Sequence, residues 1–264
     1  MKSSPYQLLE KVRQQMPVVH HITNWVTIYD CAQVVKTLGA SPVMAHAREE
    51  VSEMSTIASA LVLNIGTLTV ELVEAMKLAA KTANERKIPV VLDACGAGAT
   101  RLRDQKCLEL LEQIRIDVLK GNASEIARLA GQQVATRGVD ATDVAGDLGV
   151  LAAQLARQRN LTVVITGKID VVSNGTQTWF VRNGDPMMGR VVGTGCMAAS
   201  VIGAFAAVGE DLAYAAASAL SCYGIAGELA AEKAAGPASF KTKLIDCLYH
   251  LDRATVERMQ KIDP

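Results

Sequence analysis

Short runs of consecutive apolar residues alternate along the chain with longer stretches whose apolar positions recur at helical spacing. PVVHHI from Pro17 to Ile22, ALVLNIGTL from Ala60 to Leu68, KIPVVLDA up to Asp93 and IDVLKGN up to Lys120 each read as a short apolar strand. ASPVMAHA adds a brief strand and loop, and LTVVITGKIDVVSNGTQTWFV splits into three short strands turned at Gly167 and at Asn174-Gly175. Between them the pattern predicts helices. Ser4 and Pro5 open one that runs to Gln15, and Thr23 or Asn24 caps a second, carrying Val26, Cys31, Val34, Val35 and Leu38 until Gly39 ends it. Others run from about Thr69 to Arg86, from Thr100 to Ile114, through Glu125, and, after a polar loop around Gly138, from Thr142 to Arg159. Beyond Cys196 the chain is mostly helical and rich in alanine. Repeated strand-helix alternation with continuous apolar strands predicts an α/β fold with a largely parallel sheet covered on both faces, in one domain spanning 1–264.

Ligands in such folds sit outside the carboxyl ends of the strands. The residues expected on that rim are Asn24, Met44 to His46, Asn64 to Thr67, Asp93 to Thr100, Lys120 to Glu125 and Thr166 to Asp170. The strongest chemical signal is RVVGTGCMAASVIGAFAA from Arg190 to Ala207, where Gly193 and Gly195 precede an apolar helix. Two glycines permit a tight turn, and the unpaired N–H groups of the first helical turn then face an anion. Cys196 falls in that turn, where the positive end of the helix dipole favours a thiolate able to act as a base. The same residue types also serve close packing, with the cysteine an inert small hydrophobe.

The other rim residues carry similar double readings. Asp93 is placed to reach a metal that bridges phosphates, or to act as a turn residue. Asn122 with Glu125 forms an ordinary capping box, and Lys120 adds a cation beside it. Thr166 and Gly167 offer a hydroxyl and an open backbone to a nucleotide, and Met44 fits an apolar pocket or the core. Taken together at the strand ends, they point to phosphoryl transfer to an alcohol, a reaction that depends chiefly on positioning and charge stabilisation.

Composition narrows the partner. Lysine plus arginine equals aspartate plus glutamate at 27 each, so bulk charge does not attract nucleic acid or an anionic membrane, and a small molecule is favoured. No signal-like leader and no membrane-length apolar run occurs, which leads us to expect a cytoplasmic protein. Six scattered cysteines without CxxC spacing read as reduced thiols, and adjacent His20 and His21 would face opposite sides of a strand, so a histidine metal site is not expected.

The segments HHITNWV (20–26), LGASPVMAHA (38–47), LVLNIGTL (61–68), VVLDACGAGATRLR (90–103), LKGNASEIARLAG (119–131), VVITGKIDVVSNG (163–175), VVGTGCMAAS (191–200) and AAGPASF (234–240) closely resemble the hydroxyethylthiazole kinase family. The resemblance implies a ribokinase-like fold and phosphorylation of 4-methyl-5-(2-hydroxyethyl)thiazole by ATP with Mg2+, in thiamine salvage. It also implies a homotrimer with sites at subunit interfaces. It makes Cys196 the catalytic base, Lys120 and Thr166 nucleotide contacts, Met44, Gly193 and Asn24 substrate contacts, and Asp93 and Glu125 the metal-organising carboxylates. The chain departs from the family pattern at His21, usually cysteine, at Ala94-Cys95, usually Pro-Val, at Lys120, often arginine, and at GPASF for GPGSF. A lysine cannot repeat arginine's bidentate phosphate contact. Rival readings are a kinase for pyridoxal or hydroxymethylpyrimidine, opposed by Cys196 and the SPVM segment, a cysteine-nucleophile hydrolase, and a thiazole-binding regulator without activity.

Overall fold

Ser4 Oγ accepts from the backbone N–H of Gln7 while Gln7 Oε1 accepts from that of Ser4, and this reciprocal cap fixes the start of the first helix. The structure is a computed structural model that describes residues 4–132 and 147–264. Its helices are α1 (Pro5–Gln15), α2 (Ile28–Thr37), α3 (Val51–Ile57), α4 (Val70–Glu85), α5 (Arg101–Gln113), α6 (Ala123–Leu129), α7 (Leu148–Arg159), α8 (Thr194–Ala206), α9 (Leu212–Ala231), α10 (Pro237–Tyr249) and α11 (Arg253–Met259). The strands are β1 (Val18–Ile22), β2 (Ser41–Val43), β3 (Ala60–Asn64), β4 (Val90–Asp93), β5 (Val118–Asn122), β6 (Thr162–Thr166), β7 (Asp170–Ser173), β8 (Thr178–Val181) and β9 (Ile262–Asp263).

They form one sheet in the order β2-β1-β3-β4-β5-β6-β7-β8-β9. Pairing is parallel from β2 through β6 and antiparallel from β6 to β9. Alternate strand residues feed two cores. Val19, Val62, Val91, Val118 and Val164 pack beneath α1, α2 and α8 to α11, whereas Leu61, Leu63, Leu92, Leu119 and Val163 pack beneath α4 to α7. Burial on both faces is why the central strands lack polar alternation. On the first face α8 lies close against β1, β3 and β4, an approach allowed by Gly203, where a Cβ would collide with the Val62 side chain. That approach sets the N-terminus of α8 over the carboxyl ends of the central strands.

The expected α/β class and parallel centre hold, with the three-strand antiparallel end as a local departure. The second helix begins at Ile28, so neither Thr23 nor Asn24 caps it. The Asn24 amide is instead engaged with Thr27, Asn64 and Cys196, which leaves a turn at 25–27 between strand and helix. Helix α3 and strand β9, too short to show a sequence period, were not foreseen. The loop around Gly138 and a helix start at Thr142 lie outside the described residues.

Candidate active site

The turn before α8 is built by backbone geometry that only glycine adopts readily. Gly193 sits at φ +93°, and a Cβ there would approach Thr27 Cγ2 to 2.6 Å. Thr194 locks the turn from inside, since its hydroxyl donates to Met188 O at 2.8 Å. Cys196 follows in the first helical turn and is buried.

Around the Cys196 sulfur stand hydrogen-bond donors and a cation. The neighbouring Cys95 side chain, Lys120 and the side chains of Thr27 and Asn24 draw the thiol down to about 5 against the opposing pull of burial. Asn24 Nδ2 lies 3.3 Å from Sγ. The Asn24 amide is itself held, because its Oδ1 accepts from both the N–H and the hydroxyl of Thr27. These neighbours favour the thiolate form of Cys196, and the Asn24 amide fixes the side of the sulfur it meets.

A polar chain leads from there across the strand ends. Asn24 Nδ2 also donates to Asn64 Oδ1 at 3.0 Å, Asn64 Nδ2 donates to Asp93 Oδ2 at 2.8 Å, and Lys120 Nζ donates to Asp93 Oδ1 at 3.2 Å. Sheet register explains the grouping, since Asn64 faces Asp93 across β3 and β4, and Asp93 faces Lys120 across β4 and β5. Burial pushes the Asp93 carboxyl up while Lys120 pulls it down. Burial opposes the Lys120 charge, but Asp93, Glu125 and Cys196 outweigh it and hold the ammonium above the usual lysine range. The Lys120 ammonium also reaches the α8 turn, where a Cβ on Gly195 would stand 3.3 Å from Nζ.

Glu125 is buried at the start of α6 and holds two backbones at once. Oε1 accepts from Gly96 N and Oε2 from Asn122 N, each at 2.7 Å, so the capping box foreseen at Asn122 also ties down the glycine turn after Asp93. Burial raises its pKa, against the pull of Lys120. Among the described residues no three His, Cys, Asp or Glu side chains gather into a metal cage. Asp93 and Glu125 are the two buried carboxylates of this cluster, and an oxygen donor set of this kind fits Mg2+, which keeps waters and takes its remaining ligands from substrate phosphates.

Thr166 lies at the end of β6, its hydroxyl donating to Gly121 O at 3.3 Å, and it lines a cavity of about 640 Å3. The cavity runs between Thr166, Asn183, Met188 and Tyr223 and ends at Thr194 and Gly195, next to Lys120. Met44 is half-buried beyond β2, outside this hydrogen-bonded cluster; its carbonyl faces His46, which stacks on Trp25 beside Asn24. His21 is buried on β1 with Nδ1 donating to Val19 O, and plays no part in the cluster.

Sequence reading gave no role to Asn64, Cys95, Thr27 or Arg103. Arg103 stitches two rim loops together by donating to the carbonyls of Ile65, Gly66 and Cys95. Asn64 carried a usable signal, a polar residue closing an apolar strand level with Asp93. A thiol at Cys95 meeting a cysteine 101 positions later in the chain carries none.

The hydroxyethylthiazole kinase family model matches residues 9–254. The hydroxyethylthiazole kinase of Methanosarcina mazei is 52% identical over 255 residues, 97% of this chain and 98% of that protein. The solved structure of a hydroxyethylthiazole kinase protein from Pyrococcus horikoshii is 42% identical and superposes with a TM-score of 0.90 over 98% of each chain. A ribokinase-like superfamily protein from Enterococcus faecalis, 15% identical with a TM-score of 0.64 over 94% of each chain, shares the fold. A family model that spans most of the sequence, a relative at 52% identity and a solved structure at 42% agree: the chain belongs to the hydroxyethylthiazole kinase family.

Proposed function

We propose that the protein transfers the γ-phosphoryl group of ATP to the hydroxyl of 4-methyl-5-(2-hydroxyethyl)thiazole, with Mg2+, as a step of thiamine salvage. The observation that carries this reading is Cys196 at the N-terminus of α8, its thiol drawn down with the help of Lys120, in the same helical turn whose Thr194 and Gly195 line the cavity. Cys196 Sγ takes the hydroxyl proton as the alcohol oxygen bonds to the γ-phosphorus, and the bond to the β-phosphate oxygen breaks, releasing ADP. Asn24 holds the sulfur and, with Met44 and Gly193, faces the thiazole. The N–H groups of the α8 turn and the Lys120 ammonium bind the migrating phosphoryl group, and Thr166 contacts the nucleotide in the cavity. Asp93 and Glu125 would hold Mg2+, which when bound neutralises charge on the β- and γ-phosphates.

A homotrimer with the site at a subunit boundary is supported by the exposed apolar side chains next to the catalytic turn. Trp25, Val26 and Tyr29 lie on the α2 side and Val192 on the α8 side, all more than half exposed in the single chain. Large exposed apolar groups gathered at one place mark contact surfaces. A cytoplasmic setting is consistent with six free cysteines. Among the described residues no helix is long and apolar enough to cross a membrane.

The test is to incubate the protein with ATP, Mg2+ and a panel of vitamin-precursor alcohols and follow phosphate monoester formation. The thiazole alcohol should be the preferred acceptor; a preference for pyridoxal or hydroxymethylpyrimidine would replace this reading with its nearest rival. Light scattering and activity across a dilution series test the assembly. A monomer with full specific activity would remove the trimer.

A further inference from the structure

One wall of the cavity is the loop that leaves β8, and it is fastened from outside by residues with no part in the chemistry. Asn183 lies in this wall, buried, with every polar valence of its amide used. Nδ2 donates to Glu228 Oε1 at 3.0 Å and to Met259 O at 2.9 Å, while Oδ1 accepts from Ser221 Oγ at 2.8 Å and from Lys261 N at 2.9 Å. Glu228, on α9, also accepts from Gly184 N at 3.0 Å and from Lys261 Nζ at 3.1 Å on both oxygens. The next wall residues are pressed against the same helix. A Cβ on Gly224 would stand 2.6 Å from the Asn183 carbonyl carbon, and one on Gly227 would stand 2.7 Å from Met188 Sδ. Strand β9 completes the arrangement by pairing Val181 with Ile262, so that the backbone enters the loop in a fixed register.

We infer that Glu228 and Lys261 are positioning residues for the nucleotide, a clasp that holds the Asn183–Met188 wall at the spacing the bound nucleotide requires. Their atoms meet the wall's backbone and the Asn183 amide from behind and do not reach the Cys196 cluster. The acceptor carboxylate of Glu228 organises three donors that would otherwise point into the cavity or to water. Losing the clasp lets the wall sample wider positions, so nucleotide affinity falls while the alcohol site keeps its shape. The inference rests on the proposed reading of this cavity as the ATP site.

The test measures ATP and thiazole-alcohol KM, kcat and thermal midpoint for wild type, Glu228→Gln, Lys261→Ala and Lys261→Arg, together with calorimetry of a non-hydrolysable ATP analogue. Glu228→Gln is nearly isosteric; its oxygen can keep the Oε1 position, but the negative charge is lost and its amide nitrogen then faces the Lys261 ammonium that Oε2 accepted. The expected result is about a tenfold rise in ATP KM and analogue Kd for Glu228→Gln and a smaller one for Lys261→Ala, the scale of one lost charge-assisted hydrogen bond. Alcohol KM, kcat and the thermal midpoint should stay near wild type, and Lys261→Arg should recover most of the ATP affinity. Unchanged ATP KM in both Glu228→Gln and Lys261→Ala overturns the inference, and so does an equal rise in both substrates' KM with a lowered midpoint. If the wild type itself fails to bind the ATP analogue, it is the reading of the cavity that has failed.

Discussion

The side-chain amide of Asn24 donates both to the Cys196 sulfur, at 3.3 Å, and to Asn64 Oδ1, at 3.0 Å. One –NH2 group thereby joins the base of the proposed reaction to the strand-end cluster of Asn64, Asp93 and Lys120. A thiolate in a dry site needs such donors, because burial by itself favours the neutral thiol.

Removing the base should lower the rate without abolishing it. Cys196→Ala is expected to reduce kcat by about 10²- to 10⁴-fold, the usual span for general-base catalysis, since the α8 turn and Lys120 still stabilise charge. Cys196→Asp should retain much more activity than Cys196→Ala, because a carboxylate accepts the same proton. Steady-state kcat at saturating ATP and alcohol compares the three; equal turnover in wild type and Cys196→Ala removes the cysteine from proton transfer.

The pH profile should show the thiolate directly. With Cys196 drawn down to about 5, its alkylation by iodoacetamide should rise from acid pH and level off well below neutrality. Asn24→Ala deletes a donor to the thiolate, so the folded pKa moves up and the alkylation curve shifts toward higher pH. Mass-spectrometric rates at Cys196 across pH 4 to 9 give both curves; superimposable curves mean that Asn24 does not stabilise the anion.

Lys120 neutralises the buried Asp93 carboxylate, and the proposed reading gives it a second, separable role at the nucleotide. Lys120→Ala should weaken ATP binding and also leave the Asp93 carboxyl buried without its cation, at a cost of about 3 to 5 kcal/mol of stability. Adding Asp93→Asn to a Lys120→Met background should recover most of the stability while activity stays lost. Chemical denaturation paired with calorimetry of ATP distinguishes the two effects. Full ATP affinity in Lys120→Ala removes Lys120 from the nucleotide site.

His21 should make the fold acid-sensitive. Burial, opposed by its bond to Val19 O, holds the imidazole down at about 4, below its ordinary 6.5. A depressed histidine is neutral in the folded state while the unfolded chain takes up a proton, so stability is full above about 6.5 and is lost as pH falls toward about 4. At about 1.4 kcal/mol per pH unit, that window corresponds to about 3 kcal/mol. Thermal midpoints from pH 7 to 4 for wild type and His21→Cys should diverge, the wild type falling more steeply. Parallel curves would show that His21 contributes nothing to the acid limb.

The sequence made the strands legible because their burial on both faces leaves continuous apolar runs; Asn64 and Asp93, which end β3 and β4, and Lys120 within β5 are level neighbours in the register. Gly193 was legible for a similar reason, since a positive φ beside Thr27 admits little else. Local capping chemistry points to Thr23 or Asn24 as the cap of the second helix, and Asn24 does hold Thr27 three residues on, but its amide nitrogen meets Asn64 and Cys196, 40 and 172 residues away. The closeness of Cys95 to Cys196 and the contacts of Glu228 and Lys261 with Asn183 are long-range in the same sense. Periodicity reports which face of an element is apolar, not which distant polar group it will meet.

The 172-residue separation between Asn24 and Cys196 also has a temporal meaning. As the chain is synthesised, Asn24, Asn64, Asp93, Cys95 and Lys120 all emerge before the cysteine they will surround. Closing contacts this remote in sequence is a slow and late event in folding. Until it happens Cys196 is an ordinary thiol, protonated at neutral pH and sluggish toward electrophiles. Its thiol is therefore drawn down only when the first strand and the eighth helix have found each other, so alkylation of Cys196 at low pH would serve as a chemical clock for the completion of the fold.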